Sequence, residues 1–137
     1  METSRGLRNK NPLNIRINKD KFVGEVLPST DTAFKQFISM AYGYRAAFVT
    51  LATYHKRGRD TIQRIIEAWA PTNENNTEGY IAKVEKWSGI DRSNVLFTEG
   101  NKDEYIKIVA AMSRVENGVV ADLSEVTKGF ELQTKLK

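Results

Sequence analysis

The chain has no cysteine, a single histidine, three prolines and two tryptophans in 137 residues. Without cysteine there are no disulfides, no thiolate metal sites and no thiol nucleophile, and the redox compartment stays open. One histidine, His55, excludes multi-histidine metal centres. No apolar run approaches the roughly 20 residues that a helix needs to span a bilayer. Phosphate-loop, dinucleotide-fingerprint, calcium-loop and zinc-ligand spacings are all missing, and no cofactor or metal is expected.

What is present is ordinary for a globular protein: 40% hydrophobic and 28% charged residues. The length suits one domain, 1–137, that buries roughly two-thirds of its unfolded surface. The net charge is +4 and sits early, because Arg5, Arg8, Lys10, Arg16, Lys19 and Lys21 face only Glu2 and Asp20 over residues 1–22. A basic end suits an anionic partner such as nucleic acid, a membrane surface or a cell wall, without choosing among them. The absence of an aromatic-interleaved basic stripe or a reader motif argues against nucleic acid.

Residues 5–16 read Arg-Gly-Leu-Arg-Asn-Lys-Asn-Pro-Leu-Asn-Ile-Arg, with three Asn, one Gly and one Pro in twelve positions. Asn competes for backbone hydrogen bonds and Pro removes a donor, so an ordered loop is expected rather than a helix. Its amides and cations make a surface for a polar or anionic ligand, or a solubilising arm. Alternation over 15–22 and the two aromatics Phe34 and Phe37 within 33–37, with turn residues between, predict a small irregular β-hairpin.

From Ser39 the period becomes helical. Met40, Tyr44, Ala47, Phe48, Leu51 and Tyr54 share one stripe, Ser39 is placed to cap it, and Gly58 follows its basic end. His55, near that end, reads more readily as a packing residue than a catalytic one. Asp60 is expected to cap a second helix with Ile62, Ile65, Ile66 and Trp69, stopped by Pro71. Thr77 opens a third, ending near Gly89. One helical turn is expected around 91–96, a fourth helix from Asn101 or Asp103 to Asn117-Gly118, and a fifth from Leu123 to Leu136, weakened by Gly129. The expected class is mainly α, within α+β: a loop and hairpin over 1–38, then about five helices over 39–137.

Among chemistry-bearing residues, Glu74 lies between two Asn at a helix start. Donors nearby favour its charged form, which suits a base, an orienting contact or a cap. Asp31 is a candidate second carboxylate, with an ordinary Ser-Thr-Asp-Thr turn as the competing reading. Trp69 and Trp87 lie on apolar stripes and read as core. Tyr42 and Tyr80 have polar ends able to reach a cleft.

Residues 5–16, Phe34-Lys35-Gln36-Phe37, Tyr42-Gly43-Tyr44-Arg45-Ala46-Ala47, Trp69-Ala70-Pro71, Glu74-Asn75-Asn76-Thr77 and Tyr80-Ile81 together resemble a family of small phage and bacterial proteins. These are described as virion structural proteins or lysozyme-like cell-wall hydrolases, and the likeness covers about 5–96. Where the family pattern has Gly in Asn-Pro-Gly-Asn-Ile, this chain has Leu13, so the turn either needs no positive φ or is strained. A second resemblance, to bacterial glucosaminidases, follows the order of Glu2, Gly6 and 11–16. It implies Glu2 as general acid on a glycosidic oxygen, with Asn11, Asn14, Phe34, Phe37 and the Glu74–Asn76 loop along a saccharide cleft. A general acid must be held in place, and lysozyme-like folds do so with a preceding helix. Glu2 has only Met1 before it, so an exposed charge is the competing reading.

The resemblances imply a lysozyme-like domain that cleaves β-1,4 glycosidic bonds of peptidoglycan. The alternative is a non-catalytic virion structural or wall-binding module. Expected partners are peptidoglycan or wall polysaccharide and phage virion proteins. With a polar rather than signal-like N-terminus, the chain is expected to stay cytoplasmic until released or virion-associated.

Overall fold

The structure, a computed structural model, describes residues 4–72, 76–96 and 101–135, with residues 134 and 135 described by backbone alone. Its elements, in order, are α1 (Arg5–Arg8), α2 (Met40–Lys56), α3 (Ile62–Trp69), α4 (Thr77–Ser88), α5 (Lys102–Asn117) and α6 (Leu123–Lys135). The protein is mainly helical.

The helix ends follow local chemistry. The Ser39 side chain accepts from the Tyr42 amide and starts α2, as its sequence position predicts. Thr61, rather than Asp60, caps α3 by accepting from the Arg64 amide at 3.1 Å. Asp60 instead pairs with the Arg64 guanidinium at 2.8 Å, and its carbonyl holds the Leu96 amide. Gly89 and Gly118 close α4 and α5 in the left-handed conformation that costs other residues more.

The core is the stripe of each helix turned inward. Tyr44, Phe48 and Leu51 of α2 meet Ile62, Ile65 and Ile66 of α3, Val84 of α4, Ile108, Val109 and Met112 of α5, and Val126 of α6. Burying each such aliphatic side chain contributes roughly 1.5–3 kcal/mol. The Phe48 and Phe130 rings meet edge to face at 5.1 Å, joining α2 to α6. Gly129, read from sequence as a weak point in the last helix, is what lets α6 approach α2. A Cβ there would come within 2.6 Å of the Tyr44 Cβ and 2.9 Å of the Ala41 carbonyl.

The expected N-terminal hairpin is reduced to two isolated antiparallel bridges, Arg16 with Phe34 and Glu25 with Phe37. Side chains reinforce the few backbone bonds there, such as Ile17 to Ala33 and Lys35 to Ile15. The Asn11 amide donates to the Ile15 and Lys35 carbonyls, each at 2.9 Å, and accepts from the Ile15 amide at 3.0 Å. The helical turn expected around 91–96 is likewise absent. That stretch runs as a turn in which Arg92 pairs with Glu85 and Glu78, each at 2.8 Å. His55 is tied to it, with Nε2 2.9 Å from the Leu96 carbonyl oxygen.

Candidate functional site

The Asn-rich segment is built from the inside. Asn11 and Lys35 are fully buried. The Lys35 ammonium lies 3.0 Å from the Glu25 carboxylate and donates to the Asp20 carbonyl at 2.6 Å, which pins residues 20–25 over the segment. Arg5 grips both oxygens of Asp31 at 2.6 and 2.7 Å, and Asn9 adds a third donor at 3.0 Å. The Arg5 guanidinium, then the Ala33 amide and Asn9, hold the Asp31 carboxyl well below the usual range. Two left-handed residues, Lys10 and Asn14, turn the chain. Leu13 stands between them outside that conformation and is buried at 1% exposure, so the turn needs no glycine at this position. Gly43 of α2 has a different constraint: a Cβ there would come within 2.6 Å of Pro12 Cδ and collide with the Lys10 carbonyl.

Beside this segment a polar cluster joins four parts of the chain. Asn14 donates to Glu116 Oε1 at 2.9 Å, and the Tyr80 hydroxyl donates to Glu116 Oε2 at 3.0 Å. Burial, then the adjacent Glu116 charge, push the Tyr80 phenol well up. Asn117 donates to the Pro12 carbonyl at 2.7 Å and accepts from the Ser4 hydroxyl at 2.6 Å. Asn14 Oδ1 lies beside Gly6, buried and without a partner among the described residues.

A cleft of about 280 Å³ opens next to Asn14. Asn14, Arg16, Asn18 and Asp20 of the N-terminal segment line it together with Thr50, Tyr54 and Trp69 of the helices. The Tyr54 and Trp69 rings meet edge to face at 6.3 Å. Arg16 lies 5.0 Å from the Phe34 ring centroid, and Arg5 lies 4.7 Å from the same centroid. The arrangement offers an aromatic wall facing amides, one guanidinium and one carboxylate.

The residues singled out from sequence fall in different places. Asn14 and Tyr80 are brought together through Glu116. Asn11 and Phe37 lie in the interior, at 0% and 2% exposure, away from the cleft. Tyr42 packs its ring on the Gly24 backbone. Asn76 caps α4 by accepting from the Gly79 amide at 3.0 Å. Glu2 and Glu74 lie outside the described residues. Asp31 serves as the counter-ion of Arg5. Sequence reasoning missed Glu116, and it placed Trp69 in the core, where Trp69 does pack at the margin, half-buried, while also lining the cleft. No local pattern points to Glu116, since its partners are 102 and 36 residues away.

No protein-family profile matches the chain. It is 40% identical over 135 residues to Protein P5 of Pseudoalteromonas phage PM2, an alignment that covers 95% of this chain and 82% of the relative. The Asn-rich segment, the clamp on α2 and the polar cluster therefore sit in a chain that belongs to the family of the phage PM2 Protein P5.

Proposed function

We propose that the chain is a non-catalytic structural component of a phage particle. Its kinship to a phage protein supports this, and one observation carries it: the polar residues of the N-terminal segment serve the fold. Asn11, Asn9, Asp31 and Lys35 all bond within the chain, which builds a rigid scaffold and leaves few of these groups for a substrate. Gradient-purified particles, probed by mass spectrometry, are expected to contain the chain. Its absence from particles that retain their other proteins would overturn the reading.

A second reading, a wall-binding module, is favoured by the cleft. Trp69 and Tyr54 present ring edges and faces to amides and charges, a chemistry that suits a hydroxyl-rich sugar unit. The protein is expected to co-sediment with purified peptidoglycan and to lose several-fold of that binding in Trp69→Ala. Equal retention by the variant would remove the cleft from the account. Hydrolysis with Glu116 as the acid fits this geometry less well. A general acid must present a proton to the leaving oxygen, and both Glu116 oxygens already accept hydrogen bonds. Release of muropeptides by the intact protein, abolished in Glu116→Gln or in Glu74→Gln, would establish the hydrolase instead.

A further inference from the structure

A second concave place lies away from this cleft, where α5 hands over to α6. Trp87 of α4, Lys107, Ala110 and Arg114 of α5, and Val120 and Leu123 line a groove of about 280 Å³. Val120 is 73% exposed and Leu123 57%, a costly placement for aliphatic side chains unless something covers them. The Arg114 guanidinium lies 4.0 Å from the Trp87 ring centroid, so an aromatic face and a cation are stacked at one wall. Trp and Arg are the side chains that most often anchor protein interfaces. Among the described residues, the ionisable groups lining the groove are Lys107 and Arg114, both cationic. The nearest acid in sequence, Asp122, has one oxygen committed to capping α6 through the Ser124 amide at 2.9 Å and hydroxyl at 2.6 Å.

We propose that this groove seats a segment of another protein, one that offers apolar side chains to Trp87, Val120 and Leu123 and a carboxylate to Lys107 and Arg114. The proposal rests on the reading of the chain as a particle component, which supplies neighbours to dock. Charge complementarity selects the occupant: with Lys107 and Arg114 as the ionisable lining, the groove favours a segment that carries carboxylates beside its apolar side chains.

The test uses the full chain with Trp69→Phe, which leaves Trp87 as the sole tryptophan reporter. The probe is a synthetic amphipathic helix of leucine and glutamate, with a leucine and lysine helix of equal length as control. The glutamate peptide is expected to change Trp87 fluorescence saturably, with affinity falling several-fold as salt rises from about 50 to about 300 mM. Lys107→Glu and Val120→Asp are each expected to weaken it by roughly tenfold, the size of a truncated interface anchor, with an unchanged far-UV circular dichroism spectrum. Amide shift changes in the unsubstituted chain, confined to the groove, serve as a second readout independent of the Trp69 substitution. No binding, or equal binding of the lysine peptide, would overturn the proposal. So would self-association abolished by Val120→Asp without peptide binding, which would give the groove to a second copy. Particle composition is read separately, so failure here is distinguishable from failure of the particle reading.

Discussion

Ile65 in α3 and Lys35 in the N-terminal segment are both fully out of water, for opposite reasons. Ile65 is held within an apolar core to which five helices contribute, by a non-directional force that scales with area. Lys35 is held by Glu25 and the Asp20 carbonyl, and its neighbours Asn11, Asn9 and Asp31 are held the same way, by directional bonds at fixed distances. A segment with only two isolated bridges thus gains its order from side-chain bonds laid over scattered backbone bonds such as Lys35 to Ile15 and Phe37 to Asn9. The two regions should differ in how they fail: the helical body by graded loss of packing, the segment by exposure of unpaired polar groups.

The largest effect that would break this comparison lies at the buried ion pair. Lys35→Ala is expected to cost roughly 3–5 kcal/mol, because it leaves the Glu25 charge buried without a partner. The paired change Lys35→Met with Glu25→Leu should recover most of that loss, as apolar groups of similar volume remove the orphaned charge. Urea denaturation of the three proteins measures both, and a double variant no better than Lys35→Ala would mean that the pair is needed for geometry as well as charge. Ile65→Ala, expected to cost roughly 2–5 kcal/mol through its cavity, gives the body a matching reference.

Asn11→Ala should follow at about 1–3 kcal/mol, since it strands the Ile15 amide and the Lys35 carbonyl. Equilibrium unfolding checks it. The Asp31 prediction is one of sign. Its carboxyl titrates lower in the folded protein, so its contribution is complete above the unfolded value of about 4 and is lost as pH falls below it. The melting-temperature difference between the wild type and Asp31→Asn should therefore shrink from pH 6 toward pH 2. A constant difference would deny the linkage. Smallest is Arg16→Ala, which removes an exposed cation from Phe34 and should shift stability by no more than about 0.5 kcal/mol.

The helical body was largely legible in the sequence because its force is periodic. The stripe from Tyr44 to Leu51 and the run of Ile62, Ile65, Ile66 and Trp69 announce buried faces, and Ser39, Gly89 and Gly118 mark ends by local chemistry. The N-terminal segment was legible only as ordered and Asn-rich. Backbone bonds join 15–17 to 33–35 without a regular ladder, and nothing in the spacing of Asn11, Ile15 and Lys35 says that the Asn11 side chain would bond to the same groups. Gly129 misled for a related reason: propensity counts glycine against a helix, whereas tertiary packing made it the close approach of α6 to α2. Of the candidate site, Asn14 and Tyr80 could be named from sequence. Glu116, which joins them, could not, because the fold alone brings its partners to it.

Amide hydrogen exchange by NMR is the most direct test of the claim that polar bonds lock the N-terminal segment as firmly as packing holds the body. The informative amides are Ile15, Lys35 and Phe37, which donate to the Asn11 side chain, the Ile15 carbonyl and the Asn9 carbonyl, compared with those of Phe48 and Leu51 in α2. The account predicts that both sets exchange only through global unfolding, with the same opening free energy. Exchange of the segment at a much lower free energy, with α2 still protected, would contradict it.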